Sequence, residues 1–122
     1  MFELEKSFRF EAAHVLTHHK GKCAHLHGHS YLLTIKLRSD YLIDNGSSTN
    51  MVMDFSDVNH IVQPLIENYL DHHFLNETLQ NDSPSTEFIA RWIYKNLKPL
   101  LPQLHSVTLS ETTSSGITYW VS

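Results

Sequence analysis

With 122 residues, 41% of them hydrophobic and 18% charged, the chain has enough length for one domain with its own core and is too apolar to be disordered. Lys and Arg number 9 against 13 Asp and Glu, a formal net charge of −4, which argues against a dedicated nucleic-acid binder. The single cysteine, Cys23, excludes an internal disulfide scaffold, and 10 histidines in so short a chain point to a metal site or acid–base chemistry.

No apolar run approaches the roughly 20 residues that span a bilayer. The start, Met1-Phe2-Glu3-Leu4-Glu5-Lys6, is acidic where a signal peptide is basic. The expectation is one soluble, cytoplasmic domain over residues 1–122, with no membrane and no nucleic-acid partner.

In chain order, Phe2 to Phe10 alternates with period two. Phe2, Leu4, Phe8 and Phe10 lie on one side and Glu3, Glu5, Ser7 and Arg9 on the other, with Lys6 the exception, so the segment reads as a half-buried strand. Thr17 to Lys22 is a polar loop. Ser30 to Arg38 alternates again, with Tyr31, Leu33, Ile35 and Leu37 opposite Thr34, Lys36 and Arg38. After a turn at Asp44-Asn45-Gly46-Ser47-Ser48 the period changes. Val58, Ile61, Val62, Leu65, Ile66, Tyr69 and Leu70 form a helical stripe, with Ser56 or Asp57 as its cap. Pro64 inside that stripe is an objection, since an interior proline costs about 3 kcal/mol. A second stripe, Phe88, Ile89, Trp92, Ile93 and Leu97, ends before Pro99 and Pro102. Strands at Ser106–Thr112 and Ile117–Val121 close the chain. The order ββααββ predicts an α+β fold with an antiparallel sheet.

His27-Gly28-His29 is the strongest chemical signal. Histidines at i and i+2 on a strand share a face, roughly 6.5–7 Å apart along the chain. Both can reach one metal, and a hairpin would bring His14 alongside. The bland alternative is three unrelated loop histidines. Cys23 is a ligand, a structural buried thiol, or a reactive thiolate favoured by the polar, cationic surroundings of Gly21, Lys22 and His25. Asp71-His72-His73 ends the first stripe. Asp71 there either orients an imidazole for proton transfer, or the histidines simply complement the helix C-terminus. Glu111 falls on the apolar side of its strand with Val107 and Leu109. It either pairs with donors, such as the guanidine-like edge of a ligand, or turns its head to solvent.

Phe10-Glu11-Ala12-Ala13-His14, Cys23-x-x-x-His27-Gly28-His29-Ser30-Tyr31, Asp54-Phe55, Leu70-Asp71-His72-His73-Phe74-Leu75-Asn76, Pro84-Ser85-Thr86-Glu87 and Glu111-Thr112 fall in order along nearly the whole chain. Together they resemble the 6-pyruvoyl-tetrahydropterin synthase family. The resemblance implies a tunnelling fold: a four-stranded antiparallel sheet with two helices on one face, assembling through a β-barrel into a trimer or a dimer of trimers with active sites between subunits. It implies zinc on His14, His27 and His29, with Cys23 as general base assisted by Asp71 and His72, which a neighbouring subunit can supply. Glu111, with Ser85 and Thr86, would bind the pterin.

The implied substrate is 7,8-dihydroneopterin triphosphate. The three-residue gap between Cys23 and His27 is similar to the carboxy-forming, queuosine-pathway branch, a zinc-dependent lyase activity that releases acetaldehyde and triphosphate. Pyruvoyl formation by triphosphate elimination, and zinc and pterin binding without turnover, are the alternatives. Lys20, Lys22, His18 and His19 are candidates for the triphosphate. His25, an extra imidazole between Cys23 and His27, departs from the family pattern and is a competing ligand or substrate contact.

Overall fold

The computed structural model describes residues 1–122. The alternating segments are strands, and both are longer than their apolar patterns suggest. Strand β1 runs Phe2–His14 and β2 runs His27–Ser39, antiparallel in unbroken register from Phe2 opposite Ser39 to His14 opposite His27. Pairing continues past the last large apolar residue because backbone hydrogen bonds do not depend on side-chain type. Strand β4 (Leu104–Ser110) pairs with β2, with a register shift at Lys36/Leu37, and β5 (Gly116–Trp120) pairs with β4.

Two expectations are corrected here. The sheet has five strands, not four, and is mixed: β3, only His73–Phe74, lies parallel to β1 at its outer edge, giving the order β3-β1-β2-β4-β5. There are three helices rather than two, α1 (Phe55–Leu65), α2 (Leu75–Thr78) and α3 (Thr86–Leu97). A two-residue strand and a four-residue helix are too short to carry a visible period.

The helix α1 starts earlier than its stripe suggests. Its cap is Asp54, not Ser56 or Asp57, and the Asp54 side chain accepts the Ser56 amide at 2.8 Å. The helix persists through Pro64 in its third turn and widens directly after it into a π turn, Ile66–Leu70. Such π turns are rare and occur mostly as single-turn bulges within α-helices. Ser85 caps α3 by accepting the Phe88 amide at 3.1 Å.

Alternation sends Leu4, Phe8, Phe10, Tyr31, Leu33, Ile35, Leu37, Val107 and Leu109 to one face of the sheet, where they pack against Val58, Val62, Ile89, Ile93 and Leu97. The opposite face is polar: Arg38 meets Glu3 at 2.7 Å, and Ser7 meets Thr34 at 3.0 Å. No helix is long and apolar enough to cross a membrane.

Leu33 is wholly buried and sits between Phe8 and Leu109 in the pairing. Leu33→Ala is expected to destabilise the protein by about 2–5 kcal/mol in urea unfolding, the cost of lost burial plus a cavity.

Candidate metal centre and adjoining clefts

The strand period carries past the apolar residues to place three imidazoles on the core side of the sheet. On β1, His14 follows Phe8, Phe10 and Ala12. On β2, His27 and His29 precede Tyr31 and Leu33. His14 faces His27 across the pair, and His29 faces the small Ala12. Gly28 matters in the same place, because a Cβ there would come within 3.2 Å of the Ala12 carbonyl oxygen.

The candidate ligand atoms of His14, His27 and His29 all lie within 4.8 Å of one another. Two rings are oriented from behind. His14 Nδ1 lies 2.8 Å from the Pro84 carbonyl oxygen and His27 Nδ1 lies 2.7 Å from that of His25. Carbonyls only accept, so each Nδ1 carries the proton and each Nε2 keeps its lone pair. The Nε2 atoms of all three rings are buried without hydrogen-bond partners. Three imidazoles converging in this way form a site that can hold a metal ion and leave a coordination position open. The His25 carbonyl, not its imidazole, takes part.

Glu111 directly follows β4 and keeps its alternation, so its carboxylate turns inward rather than to solvent. It accepts a hydrogen bond from Thr86 Oγ1, and its other oxygen lies 2.8 Å from His29 Nε2 without hydrogen-bond alignment. A negative charge beside the triad favours a bound cation. Thr86 is thereby brought to the site, whereas the Ser85 hydroxyl is engaged in capping α3. Clefts of about 220 and 320 Å³ open on either side of Glu111.

Asp71 and His72 form a second group. Asp71 Oδ1 accepts the Glu11 amide at 2.9 Å and Oδ2 meets His72 Nδ1 at 3.0 Å. The Glu11 amide, with help from His72, holds the Asp71 carboxyl below the usual range. His72 has a left-handed backbone, φ 60°, and its amide is bound by the Glu11 carbonyl at 2.5 Å. That conformation is strained for a residue with a side chain and persists because β1 clamps it on both sides. His72 lines a cleft of about 500 Å³ with Glu11, Gly28 and Ser30, residues of the sheet's polar face.

Cys23 is half-buried in a short 3-10 turn, Lys22–Ala24, and its carbonyl accepts the Leu16 amide at 2.9 Å. No hydrogen bond or ion pair joins it to the triad or to Asp71-His72 within the chain. Of the candidate triphosphate contacts, Lys20 and Lys22 are exposed, His18 pairs with Asp82 at 3.2 Å, and His19 Nδ1 accepts the Gly21 amide. Sequence reasoning missed the carbonyls of Pro84 and His25, since backbone acceptors leave no side-chain signature.

These features define an α+β domain with a three-histidine cluster that can hold a metal ion next to an anchored carboxylate. Its sequence matches the family model described as 6-pyruvoyl tetrahydropterin synthase over residues 3–122, and the chain belongs to that family. It is 47% identical over 121 residues to the 6-carboxy-5,6,7,8-tetrahydropterin synthase of Synechocystis sp., covering 98% of this chain and 94% of that one. A protein of the same name from Haemophilus influenzae is 34% identical, with 98% and 99% covered. Among solved structures, the fold is similar to the 6-pyruvoyl tetrahydropterin synthase of Caenorhabditis elegans. The TM-score is 0.84 at 26% identity, with 99% and 96% of the two chains covered.

Burial holds the His14 pKa below its ordinary value, against the opposing pull of the Pro84 carbonyl. As pH falls below about 6.5, the unfolded chain takes up this proton before the folded one does. Stability of the metal-free protein is therefore full above that value and declines through the window beneath it. Urea midpoints measured across about pH 5 to 8 should show the fall, and His14→Gln should flatten it.

Proposed function

We propose that the protein converts 7,8-dihydroneopterin triphosphate and water into 6-carboxy-5,6,7,8-tetrahydropterin, acetaldehyde and triphosphate, as a zinc-dependent lyase of the cytoplasmic queuosine pathway. The observation that carries this reading is the set of three convergent, partnerless Nε2 atoms beside a carboxylate anchored by Thr86. Full-length similarity to relatives carrying the carboxy-forming name favours this branch over the pyruvoyl-forming one.

His14, His27 and His29 would hold zinc, which supplies Lewis acidity to the hydroxyls of the substrate side chain. Glu111 accepts two parallel hydrogen bonds from the amino-pyrimidine edge of the pterin, and Thr86 keeps that carboxylate in place. Ser85 contributes by starting α3 where Thr86 is needed. The Cys23 thiolate removes a proton from the side-chain carbon. His72 returns one from Nε2, since its Nδ1 is committed to Asp71. Within one subunit, no hydrogen bond or ion pair joins Cys23 to the Asp71-His72 pair, which is compatible with an assembly in which a neighbouring copy supplies one of the two. The outer edge of β5 offers the unpaired backbone that a barrel-forming trimer, or a dimer of trimers, would use.

The test is incubation of the zinc-loaded protein with 7,8-dihydroneopterin triphosphate, with mass identification of the pterin and an acetaldehyde assay. A carboxy product with acetaldehyde is expected. A pyruvoyl product would move the protein to the other branch, and absence of turnover with zinc bound would leave a pterin-binding role. Cys23→Ala should keep zinc and fold while turnover falls at least about a hundredfold, within the range general-base loss usually costs. His27→Ala should sharply weaken zinc binding, measured by chelator competition.

A further inference from the structure

We propose that Asn76 is a positioning residue that ties the metal triad to the loop carrying Cys23. It closes the Leu70–Asn76 motif, and no step above uses it. Its side chain makes three hydrogen bonds, all to the backbone of other segments. Oδ1 accepts the Val15 amide at 2.9 Å, and Nδ2 donates to the Val15 carbonyl at 2.9 Å and the Asp82 carbonyl at 3.2 Å. These partners fix the amide orientation. Rotated by half a turn, it would set a donor against an N–H and an acceptor against two carbonyls.

The two anchored segments are the ones the site depends on. Val15 follows His14 directly and is the root of the Cys23 loop, which closes on itself where the Leu16 amide meets the Cys23 carbonyl. Asp82 opens the turn that leads to Pro84, whose carbonyl orients the His14 ring. One side chain thus holds both the backbone next to a ligand and the turn that aims that ligand. Thr17 adds a single tie, its hydroxyl donating to the same Asp82 carbonyl at 2.5 Å. Aspartate lacks the two donors, and alanine lacks all three functions. This inference rests on the reading of the three histidines as metal ligands and of Cys23 as the reacting thiol.

The experiment uses the full chain as wild type, Asn76→Ala, Asn76→Asp, Thr17→Val and His27→Ala. Its probes are Zn²⁺ in competition with a chromophoric chelator, the visible absorption of bound Co²⁺, and the rate at which iodoacetamide alkylates Cys23, the sole cysteine. Asn76→Ala and Asn76→Asp are expected to weaken zinc about tenfold or more, the range found for groups that orient metal ligands. They should also alter the cobalt band and change the alkylation rate several-fold while circular dichroism shows a folded chain. Thr17→Val should move the same observables in the same direction, by less.

A lowered denaturation midpoint with zinc affinity, cobalt band and alkylation rate all as in wild type would overturn the proposal. If neither Asn76 variant folds, Thr17→Val decides it, and no change there overturns it. If wild type binds zinc no better than His27→Ala, the metal reading itself has failed. The alkylation rate then judges Asn76 alone, an unchanged rate being fatal.

Discussion

The register between β1 and β2 is the constraint on which the rest of the molecule depends. It aligns the apolar residues of both strands on one face, and the same alternation, carried a few residues further, delivers His14, His27 and His29 to that face. A slip by one residue would turn one strand's whole inward set to the polar side. Core and metal centre are therefore specified by one pairing. The local composition agrees with it: Ala12 is small opposite His29, and Gly28 lets β2 lie close to the Ala12 carbonyl.

Much of this was legible from residue order alone. Period two in Phe2–Phe10 and Ser30–Arg38 identified the central strands, and period 3.6 identified α1 and α3 despite Pro64. The His-Gly-His spacing anticipated two imidazoles on one face, and the apolar-side position of Glu111 its inward turn, because both follow from strand alternation. What escaped had physical reasons. The ends of β1 and β2 are polar, so an apolar pattern stops before the hydrogen bonds do. β3 exists because the clamp on Asp71 and His72 draws the next two residues alongside β1, a tertiary effect with no local code. The Asp54 cap lies just before an exposed Phe55, outside the stripe that announced the helix.

The two chemical groups are held by different means, which bears on how each can act. The triad sits in rigid sheet, with two rings fixed through Nδ1, so its geometry is preorganised for a cation. The Asp71-His72 pair lies at the sheet edge, where the His72 side chain is largely exposed and its backbone strained. An exposed imidazole with one nitrogen committed to a carboxylate can exchange protons with solvent or with a neighbour through the other. A buried cluster able to hold a cation on the core side of the sheet and an exposed imidazole at its edge are separate, so neither group compromises the other.

That division has an energetic consequence inside the core. Each buried polar atom without a partner costs roughly 1–3 kcal/mol, and the triad's Nε2 atoms are joined by the Tyr31 hydroxyl, which is also unpaired. Burial, with the charge of Glu111, pushes the Tyr31 pKa up, so the phenol stays neutral beside the histidines. The combined cost is comparable with the whole net stability of an ordinary domain, about 5–15 kcal/mol. A sequence shaped for stability alone would place apolar side chains here, as it does along the rest of the same face. A bound cation would satisfy all three nitrogens at once. An ion held there would also be a folding ligand, with the sheet register setting the geometry and the ion offsetting the cost of burial.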